Sequence, residues 1–224
     1  MLFSLLRGGA NFTSVAVYIL ASLMVIFITM PFHEFAHAFV ATKLGDRTAR
    51  YQGRLTLNPL SHIDYFGALC IILFGFGWAR PVPVNPAAFK KPKRDMALTA
   101  LAGPAMNLIL AFLGCFFAYA LNYINLHNNS MVLVYIIMFL SAFISLNIGL
   151  AVFNLIPIPP LDGWKVLGAL LPARIYWKIM AYERYISFAV ILLICTGALS
   201  LPLSIISNFF YNIISFLPRI IFSY

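Results

Sequence analysis

The sequence predicts an all-α polytopic membrane protein, with about five transmembrane helices plus a re-entrant or β-like membrane-associated segment. The first observation is composition: 62% of the residues are hydrophobic, 9% are charged and the mean hydropathy is +0.93. The second is the length of the uncharged stretches, since residues 96–161 contain no Lys, Arg, Asp or Glu. With 224 residues, most of them needed for the spans, we expect one membrane-embedded domain over residues 1–224. Its core would cover about residues 15–170, and C-terminal helices would follow at 185–222.

The first span is predicted at residues 15–44, with Gly45 as the residue that ends the helix. This stretch exceeds the roughly 20 apolar residues that cross a bilayer. Pro31 lies inside it and is expected to free a backbone carbonyl and to kink the helix.

Two more spans are predicted at residues 98–121 and 131–156, joined by a polar turn over residues 122–130. A further apolar tract covers residues 185–218 and contains Pro202. This tract is short for two full crossings, so we expect one span and a shorter or tilted second helix.

Residues 65–78 form a short apolar segment that contains several glycines. A crossing here would place strongly basic loops on both sides of the membrane, whereas re-entry would place them on one side. The positive-inside rule therefore favours re-entry, with the basic loops cytoplasmic, the N-terminus outside and the protein in the cell membrane. The net charge of +9 is expected to reflect orientation and contact with anionic lipid, not binding to nucleic acid. The basic residues on either side are Lys43, Arg47, Arg50 and Arg54, then Arg80, Lys90, Lys91, Lys93 and Arg94.

The first predicted span contains the sequence HEFAH, with His33, Glu34 and His37. Two histidines at i and i+4 share one helix face, where both imidazoles can reach one zinc ion and the glutamate between them can act as general base. An ionisable side chain at such a depth is costly, and the usual reason for its presence is function. The motif therefore predicts a metal centre inside the membrane.

A catalytic zinc ion takes three protein ligands, so the motif needs a third. The chain has six carboxylates, and Asp46, Asp95 and Glu183 flank predicted spans among basic residues, where we expect them to be solvated. Asp162 differs because it belongs to the sequence NLIPIPPLDG at residues 154–163, whose prolines must break the helix. Broken backbone at membrane depth is tolerated where it lines a cavity or is buried in protein, so Asp162 is well placed to turn toward the histidines.

HEFAH in a transmembrane helix, Gly103-Pro104 with Asn107 opening a later helix, and NLIPIPPLDG together resemble the site-2 protease family of intramembrane zinc metalloproteases. The similarity is to the short bacterial type without a PDZ domain and covers residues 15–170. It implies one zinc ion per chain with His33, His37 and Asp162 as ligands, and Glu34 as catalytic base. It also implies Asn107 and Asn154 as polar groups lining the site, with Asn154 a candidate for steadying substrate or oxyanion.

The implied function is zinc-dependent cleavage of peptide bonds within or near transmembrane segments of other membrane proteins. Two other functions stay open: a zinc transporter that uses the same histidines, and an inactive relative that binds membrane helices. At the residue level, Asp162 could instead cap a helix or pair with Lys165, and Asn107 and Asn154 could form hydrogen bonds between helices.

Overall fold

The computed structural model describes residues 11–222, apart from the side chains of His127 and Cys195. These residues form helices and irregular connections and contain no β-strand, so the all-α prediction is confirmed and the β-like element is not found among them. The helices are α1 (Phe12–Met24), α2 (Met30–Leu44), α3 (Thr48–Tyr51), α4 (Tyr65–Phe74), α5 (Pro92–Asn128), α6 (Met131–Asn154), α7 (Asp162–Gly168), α8 (Ala173–Met180), α9 (Glu183–Cys195) and α10 (Ser200–Ile221).

Helices α1 and α2 are joined without a break by a π-helical turn at Val25–Thr29. Pro31 explains this turn, since it has no N–H to donate and the chain must accommodate its ring at the start of α2. The Met30 N–H accordingly bonds to the Val25 carbonyl, five residues back. Helix α2 ends as predicted at Gly45, whose φ of 117° is a left-handed conformation that glycine adopts readily.

Within residues 11–222, four helical stretches are long and apolar enough to cross a membrane: Phe12–Leu44, Pro92–Leu126, Met131–Asn154 and Ser200–Ile221. The C-terminal apolar tract divides as expected into a shorter helix, α9, and a longer one, α10. The division falls at Gly197, with a φ of 76°, and not at Pro202, which lies in the first turn of α10 where a missing N–H is harmless.

Helix α5 is longer than predicted and contains 37 residues, or about 55 Å of helix. The prediction of a polar turn over residues 122–130 was wrong. The helix continues to Asn128 and ends at Asn129, which adopts a φ of 47°. Gly103-Pro104 lies in the interior of α5 and does not open it. Nothing before Asn129 forces a stop, because polarity alone does not end a helix.

The segment at residues 65–78 begins as helix α4, whose ten residues span about 15 Å, half the hydrocarbon thickness. Helix α4 ends at Gly75 in a left-handed conformation, and the chain then turns back. The backbone of Trp78 lies directly against Gly67, and a Cβ at Gly67 would collide with it. The Arg80 N–H donates to the His62 carbonyl over 2.7 Å, so the two ends of the segment lie side by side.

Helix α5 is the centre of the bundle and contacts α2, α6, α7 and α10, while α1 packs on α6. One core cluster joins α1, the π-helical turn, α4 and α6, and contains Tyr18, Val25, Ile71, Phe143 and Leu146. A second cluster joins α5, α6 and α10. This packing brings α2, α5 and α7 together at one end of the bundle.

Candidate metal centre

Helix α2 buries the three chemically important side chains of the HEFAH sequence. His33, Glu34 and His37 are 8%, 7% and 6% exposed. The spacing of four residues places both imidazoles on one face, with their Nε2 atoms 3.0 Å apart. The pair therefore presents two nitrogen ligands to one point.

Helix α5 supplies the surface that faces these histidines. Residues 99, 103 and 107 are spaced by four and form one stripe along α5. The Thr99 carbonyl lies 2.7 Å from Nδ1 of His37, and Oδ1 of Asn107 lies 3.2 Å from Nδ1 of His33. Gly103 lies between these two partners, where a Cβ would collide with the Nε2 atoms of both rings.

These contacts determine which nitrogen of each ring is free. The carbonyl oxygen of Thr99 can only accept, so Nδ1 of His37 donates and its Nε2 keeps the lone pair. The amide oxygen of Asn107 has the same effect on His33. Two lone pairs then face each other across 3.0 Å, an arrangement that requires a cation or a proton between them.

Asp162 is the first residue of α7 and completes the group from the opposite side. Its Oδ2 lies 3.0 Å from Nε2 of His37 and 3.4 Å from Nε2 of His33. Its Oδ1 lies 2.9 Å from Nζ of Lys165. Burial raises the pKa of the Asp162 carboxyl, but His37, His33 and Lys165 outweigh that effect and hold the pKa well below its usual range.

His33, His37 and Asp162 form a group that could hold a metal ion, since their ligand atoms all lie within 4.8 Å of one another. Two neutral imidazoles and one carboxylate, with a fourth position left open, are a typical donor set for catalytic zinc. The residues present therefore fit zinc, both in donor chemistry and in the closeness of their ligand atoms.

Glu34 lines the same cavity as this ligand group and contacts the segment that follows α4. Its Oε2 accepts a hydrogen bond of 2.9 Å from the backbone N–H of Val82. Val82 lies between Pro81 and Pro83, which have no N–H, so it supplies the single backbone donor of that tripeptide. This hydrogen bond holds Oε2 of Glu34 in place, and the Val82 N–H does not bind the other carboxylate oxygen.

The proline-rich segment at residues 79–86, here named the proline strap, is anchored by other charged groups. The Asn85 N–H donates to Oδ2 of Asp46 over 2.7 Å, and Oδ1 of Asp46 accepts from the Thr48 N–H over 2.9 Å. The Arg54 guanidinium donates to the Arg80 and Pro81 carbonyls. Asp46 is fully buried, so the expectation that it is solvated was wrong.

Asp95 is also buried, at 2% exposure, and the expectation that it is solvated was likewise wrong. Its carboxylate accepts from the Lys91 N–H over 3.0 Å and from Nε of Arg94 over 2.9 Å. It thus satisfies backbone at the start of α5, where a negative charge also complements the helix dipole. Glu183 is partly exposed at the start of α9.

All the side chains predicted for the site line one cavity of about 570 Å³. Asn154 lies on its wall, and its amide nitrogen donates to the Leu150 carbonyl over 3.0 Å. The rest of the lining is largely apolar and comes from the proline strap, α5, α6, α7 and α9. The structure thus brings together His33, Glu34, His37, Asn107, Asn154 and Asp162.

Comparison with known proteins identifies the family of the chain. The profile described as peptidase family M50 matches residues 121–197. The protein named "Putative zinc metalloprotease YwhC" of Bacillus subtilis is 46% identical over 168 residues, which cover 75% of each chain. The chain belongs to peptidase family M50, the site-2 protease family.

Two other relatives show how far the similarity extends. "Putative zinc metalloprotease MJ0611" of Methanocaldococcus jannaschii is 30% identical over 180 residues, 78% of this chain and 84% of that protein. "Putative zinc metalloprotease Rip2" of Mycolicibacterium smegmatis is 30% identical over 181 residues, 75% of this chain and 64% of that protein. No solved structure matches this M50 chain significantly. Zinc is accordingly the metal that the family and the His33, His37 and Asp162 group support.

Proposed function

We propose that this protein is an intramembrane zinc endopeptidase that cleaves peptide bonds within or near transmembrane segments of other membrane proteins. The observation that carries the proposal is the convergence of His33, His37 and Asp162 beside Glu34, inside a bundle of helices apolar enough to cross a membrane. The three side chains would hold one zinc ion per chain. When bound, zinc polarises the scissile carbonyl and lowers the pKa of an attacking water to about 7.

Glu34 would carry the protons of the reaction. Its carboxylate lies on the same helix turn as the two histidines, and the Val82 N–H holds one of its oxygens in place. The other oxygen would accept a proton from the attacking water and later deliver it to the leaving amine. The largely apolar cavity wall limits bulk water around this transfer.

Asn107 would orient a zinc ligand, since its amide oxygen binds the ring of His33. Asn154 remains the candidate for steadying the substrate or the oxyanion, because it lies on the cavity wall and binds neither histidine Nδ1. Asn107 and Asn154, which the resemblance implies as polar groups lining the site, would thus have different roles.

The substrate would enter as a locally unwound segment. A helix is about 10 Å wide, so a cavity of about 570 Å³ would hold little more than one helical turn. Helical substrates also keep their peptide bonds within intrahelical hydrogen bonds. Residues 76–85 form neither helix nor strand, and most of them line the cavity. They, and not helix α4, would be the segment along which an extended substrate could pair.

The basic loops support one orientation in the cell membrane, with these loops cytoplasmic. Arg54 contacts the carbonyls of Arg80 and Pro81, and Lys93 donates to the Leu171 carbonyl over 2.8 Å, so basic segments distant in sequence meet at one end of the bundle. Lipid and a transmembrane protein substrate would be the partners. All of residues 1–224 would form one membrane-embedded domain.

The test is hydrolysis by purified protein in proteoliposomes that also contain single-span membrane polypeptides, in water enriched with ¹⁸O. We expect new C-termini carrying ¹⁸O with wild type, and none with Glu34→Gln, which should still hold zinc. A zinc transporter would instead move zinc across the vesicle wall and could tolerate Glu34→Gln. Absence of new termini from wild type across the panel, with zinc bound, would favour the helix-binding alternative.

A further inference from the structure

The two carboxylate oxygens of Asp162 have different partners. Oδ2 faces the two histidine Nε2 atoms, at 3.0 Å and 3.4 Å. Oδ1 instead accepts a hydrogen bond of 2.9 Å from the ammonium of Lys165, in the first turn of α7. The sequence left open whether Asp162 is a ligand or the partner of Lys165, and in the structure Asp162 contacts both the two histidines and Lys165.

The burial of Asp162 makes this ion pair stronger than a pair on the protein surface would be. The Asp162 side chain is 8% exposed, and Lys165 lines the same cavity with 39% of its side chain exposed. Exposed ion pairs contribute little, whereas a charged hydrogen bond to a buried carboxylate fixes its orientation. The pair also spans one helix turn, so α7 itself sets the separation of the two groups.

A free aspartate can bind a metal ion through one oxygen or through both. Catalytic zinc works with three protein ligands and one open position, and a second carboxylate oxygen would compete for that position. We propose that Lys165 is a positioning residue that keeps Asp162 a one-oxygen ligand by holding Oδ1 away from the metal. This inference rests on the proposed zinc site and assigns Lys165 no contact with the substrate.

The test uses purified full-length protein and measures binding of zinc and cobalt(II), with no need for a substrate. We expect Lys165→Met to weaken zinc about 10- to 100-fold, the range seen when groups that orient metal ligands are removed. The cobalt(II) visible spectrum should also lose intensity, because a freed Oδ1 raises the coordination number above four. Lys178→Met, at an exposed lysine of α8, is the matched control and should bind both metals like wild type.

A double-mutant cycle separates positioning from general stability. In an Asp162→Asn background, Lys165→Met should change zinc affinity by less than about twofold, since its partner is already altered. Lys165→Arg retains a cation and should bind zinc more tightly than Lys165→Met, which provides a second variant if the methionine variant does not fold. An unchanged affinity and cobalt spectrum in Lys165→Met, or an equal loss in both backgrounds, would overturn the inference. Wild type that binds no metal would instead contradict the proposed function itself.

Discussion

Gly103 is the position where the smallest change should have the largest effect on the metal centre. An alanine there would place Cβ 2.6 Å from Nε2 of His33, and closer still to Nε2 of His37. Ordinary contacts of a Cβ begin near 3.4 Å, so the His33 ring would have to move by about 0.8 Å. The same methyl group would collide with the Nε2 atoms of both histidines, so both rings would have to move.

The expected loss follows from that displacement. Zinc sites tolerate ligand displacements of about 0.2 Å, well below this shift. A misplacement near 1 Å costs about 100-fold in rate, or roughly 2.7 kcal/mol. Helix propensity acts in the opposite direction, since Gly→Ala inside a helix is favourable by about 0.8–1 kcal/mol. We therefore expect Gly103→Ala to remain folded while it loses at least about 100-fold in activity and 10- to 100-fold in zinc affinity.

Competition with a fluorescent zinc chelator measures the zinc affinity of Gly103→Ala. The melting temperature of the metal-free protein shows whether the variant is still folded. Gly149→Ala in α6 is the matched control, because a Cβ at that glycine would meet nothing within 4 Å. It should behave like wild type in both assays. Wild-type zinc affinity and activity in Gly103→Ala would refute the placement of the histidines against α5.

Three further predictions test other contacts. Glu34→Gln should retain one zinc ion per chain yet lose about 10²- to 10⁴-fold in hydrolysis, measured on the same preparation; parallel loss of metal would assign Glu34 a ligand role instead. Asn107→Leu should weaken zinc about 10- to 100-fold by releasing the His33 ring, and an unchanged affinity in chelator competition would count against that orienting role. Asp46→Ala should lower the free energy of unfolding by about 2–5 kcal/mol, because the Thr48 and Asn85 N–H groups lose a charged acceptor; a melting temperature equal to that of wild type would contradict the anchoring of the strap.

The group of side chains that could hold a metal ion was predictable from sequence, because such residues are scarce in an apolar chain. Local spacing pairs His33 with His37, and the apolar stretch around them marks the motif as functional. Asp162 lies far along the chain, but prolines break the helix just before it, and the resemblance of the whole motif joined it to the histidines. The fold class followed from composition in the same direct way.

The contacts of the proline strap could not be predicted from the sequence, because they are made by backbone groups that every residue type carries. The Val82 N–H is notable in sequence only for its two proline neighbours, and nothing local indicates that it meets Glu34. Asp46 was expected in solvent because basic residues surround it, whereas its partners are backbone N–H groups brought in by the fold.

The limits of helix α5 show a different failure. Pro104 suggests a helix start by local rules, since proline disrupts helix interiors. In a bundle, neighbouring helices and polar groups can satisfy the freed backbone, and α5 continues through it. Local propensity therefore missed the alignment of Thr99, Gly103 and Asn107 along one stripe.

Metal content tests the central claim most directly, by elemental mass spectrometry of detergent-purified wild type, His37→Ala and Asp162→Ala. The account predicts about one zinc ion per wild-type chain and a sharp reduction in both variants, because ligands from α2 and α7 share one ion. Wild type without bound metal, or an Asp162→Ala variant that retains the full wild-type zinc, would contradict it.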